Sequence, residues 1–283
     1  ALLSELGTLR VQTITLSGGE PTQRPDFPEI LKHARDQGLH VGVLTNGLSI
    51  DCELADAIAQ YSDWVRVSLD ASNPETYEKV RGLREGFEKV KESIRNLDKA
   101  TKANNSRCRI GICYSIQKAN VMEVPQVIEL VNTLGVSTDE EGLIFKLVHG
   151  RNGCLCDPQQ LEDFNKNVLS KKNPTWDRMT NLQYLKRFID HYSNLEDIAN
   201  GTPLYSYYRE NKTRCFTPFL FSLIDAYGDV YPCCFLYHDN DVYEQFKSKR
   251  EKHRMGRLSE ESFGRVWLDE RYNQMRRDLR TID

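Results

Sequence analysis

The string LSGGEPT at positions 16–22 is the part of the sequence with the clearest chemical potential. Gly18 and Gly19 allow the backbone to approach a ligand closely and expose consecutive amide groups. Glu20 adds a fixed carboxylate suited to an ammonium group, and Pro21 stiffens the chain beyond it. An ordinary turn between a strand and a helix would explain two glycines alone, but the whole string directly after a predicted strand favours a ligand site.

Cysteines are the second set of residues that could do chemistry. The chain contains eight of them: Cys52, Cys108, Cys113, Cys154, Cys156, Cys215, Cys233 and Cys234. A short secreted domain with this many would predict disulfides, but this chain has 283 residues, and its first residues lack the zones of a secretory signal. We therefore predict reduced thiols in the cytoplasm, some of them metal or cluster ligands. Cys154 and Cys156 are one residue apart, which favours loop cysteines over a redox pair or a stray cluster ligand.

The elements that must position these residues alternate between short apolar strands and amphipathic helices in the first half of the chain. The predicted strands are 13–16, 41–44, 64–69, 109–115 and 142–148, and the predicted helices are 26–37, 51–60, 74–80, 87–100 and 121–134. Five repeats of this kind are too few to close an eight-stranded barrel. The sequence therefore predicts an α/β fold, a partial, open TIM-type barrel of βα repeats.

The second half of the chain has a different pattern. Predicted helices near 159–169 and 182–192 are followed by two strands, 219–225 and 230–231, around the hairpin signal AYGD at 226–229, and by a last helix at 262–279. We therefore predict a domain boundary near Asn211. A barrel with a helical extension would occupy residues 1–210, and a small α+β domain would occupy 211–283.

Bulk composition excludes several classes of partner. The 38 basic and 41 acidic residues give a formal net charge of −3, which gives no reason to expect nucleic acid or an anionic membrane surface as a partner. No apolar run approaches the roughly 18 residues that are needed to cross a bilayer. The hydrophobic share of 39% and the charged share of 28% are typical of a globular protein in solution.

In this setting, the GGEP string at 18–21 resembles the motif of radical S-adenosylmethionine (radical SAM) enzymes. The string TNG at 45–47 follows the second predicted strand, and VSLD at 67–70 ends the third, as their counterparts do in that family. Residues 77–87 are similar to the stretch that the family places before its next helix. The resemblance extends from Thr13 to about Lys146.

The resemblance implies a cofactor site of seven residues: Gly18, Gly19, Glu20, Pro21, Asn46, Ser68 and Asp70. Glu20 would receive the amino group of S-adenosylmethionine, and Ser68 and Asp70 would lie near its ribose. Taken singly, Ser68 and Asp70 are more typical of loop polar groups. Lys146 is a weaker candidate for a contact with the adenosine or the substrate. No catalytic residue is assigned.

One part of the family pattern is absent from these 283 residues. Radical SAM enzymes hold a primary [4Fe-4S] cluster on three cysteines, spaced by three and then two residues, upstream of the Gly-Gly-Glu strand. Here no cysteine precedes Cys52, and none of the eight shows that spacing. We expect a chain truncated after its cluster loop, and a natural paralogue without the primary cluster is the rival explanation.

The C-terminal part carries a second resemblance. Cys215 is followed by twelve residues, Gly228, four residues and Cys233. This spacing resembles the opening of the auxiliary-cluster domain called SPASM, or twitch in its shorter form. A hairpin at Gly228 would bring Cys215 and Cys233 to one auxiliary [4Fe-4S] cluster, which needs further thiolates expected beyond Asp283. Cys234 is a poorer third ligand because adjacent residues rarely bind one cluster, and two buried structural cysteines are the alternative.

Together, the resemblances imply a radical SAM oxidoreductase or maturase when full-length, with this fragment alone inactive. A 5'-deoxyadenosyl radical would abstract hydrogen from a peptide or a small polar substrate, and a reductant such as flavodoxin or ferredoxin would supply the electron. The alternative is a non-catalytic binding or electron-transfer paralogue that lacks the primary cluster. A partial-barrel lyase without clusters would leave the cysteine spacing unexplained.

Overall fold

The computed structural model of the protein describes residues 1–139, 142–148, 155–171, 216–234 and 253–280, with several single positions between 182 and 189. These residues fall into two compact units. The large unit contains Val11–Val148 and continues from residue 155, and the small unit joins Ala1–Arg10 to the described residues from 216 onward. The boundary near Asn211 lies outside the described residues, so the two domain ranges stay a prediction.

The large unit is built on a five-stranded parallel sheet. Its strands lie side by side in chain order: β1 (Thr13–Leu16), β2 (His40–Thr45), β3 (Trp64–Ser68), β4 (Arg109–Ile116) and β5 (Leu143–Leu147). In register, Ile14 lies beside Val41, and Val65 lies beside Ile110. Parallel strands in chain order with helical crossovers are the arrangement of a TIM-type barrel left open, which confirms the predicted fold class.

The described part of the large unit has six helices with defined bounds: α2 (Phe27–Asp36), α3 (Cys52–Tyr61), α4 (Pro74–Arg81), α5 (Gly86–Ala103), α6 (Val124–Thr133) and α7 (Pro158–Phe164). Short 3-10 turns occupy Pro21–Gln23 and Val121–Glu123, and α7 continues into a π-helical turn at Asn165–Leu169. The helix predicted at 121–134 thus begins as a 3-10 turn. The helix predicted at 182–192 lies mostly outside the described residues.

The apolar spacing of α5 shows why these helices dock on the sheet. Val90, Ile94 and Leu97 recur at helical spacing and are fully buried. Burial of such side chains stabilises the fold by about 1.5–3 kcal/mol each. The helix therefore contributes one continuous apolar stripe to the core.

The sheet has one buried face and one half-exposed face. In β3, Val65 and Val67 are fully buried, whereas Trp64, Arg66 and Ser68 keep partial exposure. Because residues in register share a face, Cys113 lies beside Ser68, and Lys146 lies beside Ser115 on that same side. We call this surface the open face, and its members are Trp64, Arg66, Ser68, Cys113, Ser115 and Lys146.

The small unit contains a three-stranded antiparallel sheet and four helices in its described part. They are α1 (Leu2–Thr8), α8 (Thr217–Leu220), β6 (Leu223–Ile224), β7 (Asp229–Tyr231), β8 (Gly256–Arg257), α9 (Phe263–Leu268) and α10 (Glu270–Arg280). The hairpin of β6 and β7 turns at Gly228, as the sequence predicts. The third strand, β8, and the first helix, α1, were not predicted.

Two predicted elements of the small unit are wrong in extent. Residues 219–225, predicted as one strand, contain the end of α8 and the two-residue strand β6. The helix forms there because Pro218 favours the first turn of a helix. The helix predicted at 262–279 is broken at Asp269, whose backbone is extended. The Asp269 carboxylate accepts a hydrogen bond from the Arg271 amide (2.8 Å) and so helps to start α10.

The start of the chain is tied to the end of the small unit by Glu5. Its carboxylate accepts hydrogen bonds from the backbone amides of Phe263 (3.2 Å) and Gly264 (2.9 Å), at the N-terminal end of α9. A contact between residues that far apart in sequence could not be predicted from local pattern.

No described helix is both long and apolar enough to cross a membrane.

Candidate functional site

The two glycines of the GGEP string lie at the C-terminal end of β1, where their backbone faces open space. Gly18 has a φ of +147°, a conformation that residues with side chains rarely adopt. A Cβ atom added to Gly18 or Gly19 would meet no heavy atom within 4 Å. A ligand can therefore reach the backbone groups of both residues without displacing a side chain.

The Glu20 carboxylate is held by four hydrogen bonds from its own chain. Its Oε1 accepts from the Thr22 amide (3.1 Å), the Thr22 hydroxyl (2.6 Å) and the Thr45 hydroxyl (2.7 Å). Its Oε2 accepts from the Asn46 amide (2.6 Å). Since Thr45 is the last residue of β2, the carboxylate ties the ends of two neighbouring strands together. Oε2 retains acceptor capacity for an ammonium group.

Pro21 and Asn46 shape the two turns around this carboxylate. Pro21 is buried and begins the 3-10 turn that Glu20 caps. The Asn46 side-chain oxygen accepts from the Leu48 amide (2.9 Å), which is a local turn contact. At Gly47 the φ is +71°, and an added Cβ would lie 2.5 Å from Val67, so only glycine fits there.

Asp70 lies deeper than a ligand contact would require. It is only 3% exposed. Its Oδ1 accepts from the Ser115 amide (2.6 Å), and its Oδ2 forms an ion pair with Arg81. Burial raises the pKa of Asp70, and the Arg81 charge opposes that rise. The carboxylate joins the end of β3 to β4 and α4, and its predicted contact with the ribose stays a prediction.

Asn120 completes the support of Asp70, and sequence reasoning missed it. This side chain is 1% exposed and donates to the backbone carbonyls of Asp70 (2.8 Å) and Ser115 (2.9 Å). Its own oxygen accepts from the Gln117 amide (2.8 Å). The only sequence signal is an Asn before a predicted helix, which ordinarily indicates a cap and not a brace between strands.

Ser68 lies on the open face, beside a basic and aromatic surface. The Arg66 guanidinium carbon is 4.8 Å from the centre of the Trp64 ring. Trp64 covers Gly42 so closely that a Cβ added there would be 2.0 Å from the ring. Burial raises the pKa of the neighbouring Cys113 thiol, and Lys146 opposes that rise. The open face thus combines two hydroxyls, a thiol and two cations.

The C-terminal cysteines are described only in part. Cys233 follows β7 and is 8% exposed, and Cys234 is half-buried. Cys215 lies outside the described residues, so its predicted sharing of a cluster with Cys233 stays a prediction. Within the described ranges, no three His, Cys, Asp or Glu side chains converge on a point that could hold a metal ion.

The hairpin that leads to Cys233 is fixed by an ion pair. Asp229 accepts from Arg257 Nε (2.6 Å) and Nη2 (3.2 Å) across β7 and β8, and Arg254 lies 3.6 Å away. The hydrogen bond and charge of Arg257 hold the pKa of Asp229 below its usual range. This pairing sets the register of the short sheet just before Cys233.

Comparisons with known proteins agree with this architecture. Residues 1–130 match the model of the radical SAM superfamily, and residues 215–282 match that of the SPASM iron-sulfur cluster-binding domain. The first part of the chain thus matches a radical SAM domain and its last part a SPASM domain, which confirms both resemblances.

Individual relatives are similar over parts of their length. An Fe-coproporphyrin III synthase from Methanosarcina barkeri is 33% identical over 132 residues, which cover 46% of this chain and 31% of that protein. The mycofactocin maturase MftC of Mycobacterium tuberculosis is 27% identical over 248 residues, which cover 84% of this chain and 56% of MftC. The chain thus spans less than two thirds of the length of these curated relatives.

A solved structure supports the fold. Streptococcus suis SuiB, crystallised with its precursor peptide SuiA, superposes with a TM-score of 0.55 at 15% identity. The match covers 98% of this chain and 60% of SuiB. At this identity the likeness speaks for the fold alone.

Proposed function

We propose that this chain is part of a radical SAM oxidoreductase or maturase that acts on a peptide or a small polar substrate, with an auxiliary iron-sulfur cluster. The observation that carries the proposal is the end of β1. Two open glycines lie there next to a carboxylate that four hydrogen bonds fix in place. Methionine has an ammonium group next to a carboxylate. The Glu20 carboxylate can accept from such an ammonium group, and the backbone amides of the glycines can donate to the carboxylate.

The residues at the strand ends would bind and orient S-adenosylmethionine. Glu20 would accept the amino group on Oε2, and the backbone of Gly18 and Gly19 would line the methionine portion. Ser68, on the open face, is the better placed of the two predicted ribose contacts because Asp70 is buried and already paired. When bound beside a reduced [4Fe-4S] cluster, this cofactor supplies a 5'-deoxyadenosyl radical that abstracts hydrogen. None of the eight cysteines is assigned to that primary cluster.

The open face would receive the substrate. Arg66 has no carboxylate partner among the described residues, and Lys146 is exposed on the same side. Two cations beside an aromatic ring favour a substrate that carries carboxylates, such as an acidic peptide segment. Among the similar proteins, MftC is a maturase and SuiB was crystallised with a precursor peptide, and both support a peptide substrate. The similarity to an Fe-coproporphyrin III synthase supports a small polar substrate.

The remaining partners follow from the same proposal. A reductant such as flavodoxin or ferredoxin would deliver the electron, and the cytoplasm would provide the reducing conditions that iron-sulfur chemistry needs. The described helices give no reason to expect a membrane.

The test uses the product of the full open reading frame. Its iron and sulfide are reconstituted anaerobically, and 5'-deoxyadenosine is measured after reduction with dithionite. We expect cofactor cleavage with iron near eight atoms per chain, as expected for two four-iron clusters. Full iron loading without 5'-deoxyadenosine would contradict the proposal.

The alternative is a non-catalytic binding or electron-transfer paralogue without a three-cysteine loop, and the full open reading frame decides between the two. An open reading frame that also lacks that loop would support an electron-transfer or binding role. In that case the Glu20 site should bind no S-adenosylmethionine in a calorimetric titration.

A further inference from the structure

The five strands of the large unit contain no acidic residue. Two carboxylates follow strand ends, and both are already engaged. Glu20, after β1, accepts four hydrogen bonds, and Asp70, after β3, pairs with Arg81. The open face, by contrast, carries two cations, Arg66 on β3 and Lys146 on β5. No carboxylate of the strands offsets this positive charge.

Arg66 is held by an aromatic ring and not by a counter-ion. Its guanidinium carbon lies 4.8 Å from the centre of the Trp64 ring. In the described part of the chain, no hydrogen bond or ion pair joins Arg66 to another residue. A ring contact orients a guanidinium and leaves its N–H groups available. The half-buried side chain therefore presents an oriented set of donors that suits a carboxylate.

The position of the Trp64 ring depends on a glycine in the neighbouring strand. Gly42 on β2 lies beside Trp64 in register. A Cβ atom added to Gly42 would lie 2.0 Å from the ring, so any side chain there would displace it. The missing side chain of Gly42 thus makes room for the ring, and the ring in turn supports Arg66.

Cys113 lies on the strand between the two cations. It is beside Ser68 of β3 in register, while Lys146 of β5 is beside Ser115, two residues further along the strand of Cys113. Burial raises the pKa of the Cys113 thiol, and the charges of Lys146 and Arg66 oppose that rise. The thiol therefore stays protonated at neutral pH and supplies no anion for either cation. A negative group above Cys113 would have to come from a ligand.

The separation of the two cations favours a chain over a small acid. Arg66 is level with Gly111 in register, and Lys146 is level with Ser115. Their backbone positions are thus two strands and four residues apart, about 10 Å across the sheet and about 13 Å along it. Acidic side chains on one side of an extended peptide recur about every 7 Å. A peptide with more than one acidic residue can therefore reach both cations.

We infer that Arg66 is the specificity-determining residue of the proposed reaction. Its guanidinium binds an acidic side chain of a peptide substrate above Cys113, and Lys146 binds a second one. This inference rests on the proposed function, since it needs a peptide on the open face. Arg66 has the larger effect because Trp64 orients it and a guanidinium forms two parallel hydrogen bonds to a carboxylate. Lys146 is exposed, and its ammonium acts as a point charge.

The test uses the reconstituted product of the full open reading frame, with S-adenosylmethionine present and no reductant, so that no radical forms. The probe is a library of random hexapeptides, acetylated and amidated so that only side chains carry carboxylates. We expect the wild type to retain peptides rich in aspartate and glutamate. Fluorescence anisotropy then compares one retained peptide with its counterpart in which glutamine replaces glutamate. In Arg66→Met the preference for the acidic peptide should fall about tenfold, in Lys146→Met by a smaller factor, and Arg66→Glu should select basic peptides instead.

Arg95→Met is the matched control, since Arg95 is an exposed arginine on α5. Its preference for the acidic peptide should equal that of the wild type, and an equal fall in both variants would overturn the inference. A loss of S-adenosylmethionine affinity in Arg66→Met with unchanged peptide preference would assign Arg66 to the cofactor, which also overturns it. If Arg66→Met does not fold, Arg66→Gln decides, and an unchanged preference in that variant overturns the inference.

Failure of the inference and failure of the proposed function give different results. A wild type that forms no 5'-deoxyadenosine on reduction contradicts the proposed function, whichever peptides it retains. A wild type that forms 5'-deoxyadenosine but retains no excess of acidic peptides overturns only the role of Arg66.

Discussion

Glu20 in the large unit and Arg276 in the small unit are both charged groups with several hydrogen bonds, yet their surroundings differ. Glu20 accepts four hydrogen bonds from its own chain, and these link β1 to β2. Arg276 is more deeply buried, and one of its nitrogens has no partner among the described residues. The Glu20 carboxylate is thus organised without a ligand, whereas the Arg276 Nη2 has no acceptor among the described residues.

This difference has a physical reason. A soluble cofactor that enters and leaves needs a site that keeps its shape when empty, so strand ends, turns and carboxylates are satisfied internally. The comparison therefore predicts that substitutions at the strand ends of the large unit change both stability and cofactor affinity.

The largest effect on stability should come from Asp70→Ala. This change leaves Arg81 without its partner and the Ser115 amide without its acceptor. We expect the free energy of unfolding to fall by about 3 kcal/mol, since Arg81 remains about one-third exposed to water. Urea denaturation measures this loss.

The control for Asp70 is Asp36→Ala, which removes an exposed pair with Lys32 (2.6 Å) and should cost no more than about 0.5 kcal/mol. If both variants lose equally little stability, Asp70 is not a brace between strands. It would then be available to a ligand, as the family resemblance implies.

Glu20→Gln should have a smaller effect on stability but a direct effect on binding. The amide nitrogen would face hydroxyl and amide donors, so at least one hydrogen bond is lost, at a cost of about 2 kcal/mol. The affinity for S-adenosylmethionine should fall at least about tenfold, because a charged acceptor for the ammonium group is gone. Calorimetric titration of the reconstituted full-length protein with S-adenosylmethionine measures this loss of affinity.

Glu29→Gln is the matched control because Glu29 is exposed on α2. It should change neither stability nor affinity. An unchanged affinity in Glu20→Gln would mean that the carboxylate only joins β1 to β2.

The architecture of the large unit could be predicted because its signals are local. Strand β1 has the predicted bounds, and α5 follows from the spacing of Val90, Ile94 and Leu97. In the small unit, α8 and the break at Asp269 were missed, since short elements carry too few residues for a period to show. Glu5 at the start of α9 depends on contact between distant segments, which no local pattern reports.

The candidate site could be predicted in its motif but not in its contacts. The GGEP string indicates where the backbone is open to a ligand, and the TNG string indicates the tight, buried turn at Gly47. The hydroxyl of Thr45 and the brace formed by Asn120 depend on the register of neighbouring strands. No sequence motif marks Arg276, because a buried N–H group without an acceptor can be recognised only in the folded structure.

The small unit offers a pH test of intermediate size. Asp229 has a pKa below its usual range because Arg257 pairs with it. The stability that this carboxyl contributes is fully present above the ordinary aspartate pKa of about 4 and is lost as the pH falls through its lower folded value. The protection factors of the β7 amides, which are corrected for the intrinsic exchange rate at each pH, should therefore fall below pH 4.

In Asp229→Asn, protection of β7 should be lower at neutral pH by about 1 kcal/mol, since Arg257 is partly exposed to water, and this part of the acid dependence should disappear. Acid sensitivity that persists unchanged in the variant would assign it to other carboxyl groups. The result sharpens the comparison because it measures the stability of the small unit's sheet by itself.

Alkylation of the native protein should distinguish the exposed cysteine Cys52 from two buried cysteines of the large unit. Cys52 is exposed, whereas burial raises the pKa of the Cys108 and Cys156 thiols to about 12. Because the thiolate is the nucleophile, iodoacetamide at pH 8 should label Cys52 at least about 100-fold faster than the other two, as mass spectrometry of the peptides would show. In denaturant all three should react alike. Equal labelling in the native protein would mean that the large unit opens readily, and it could not then keep the Glu20 site formed in the absence of a ligand.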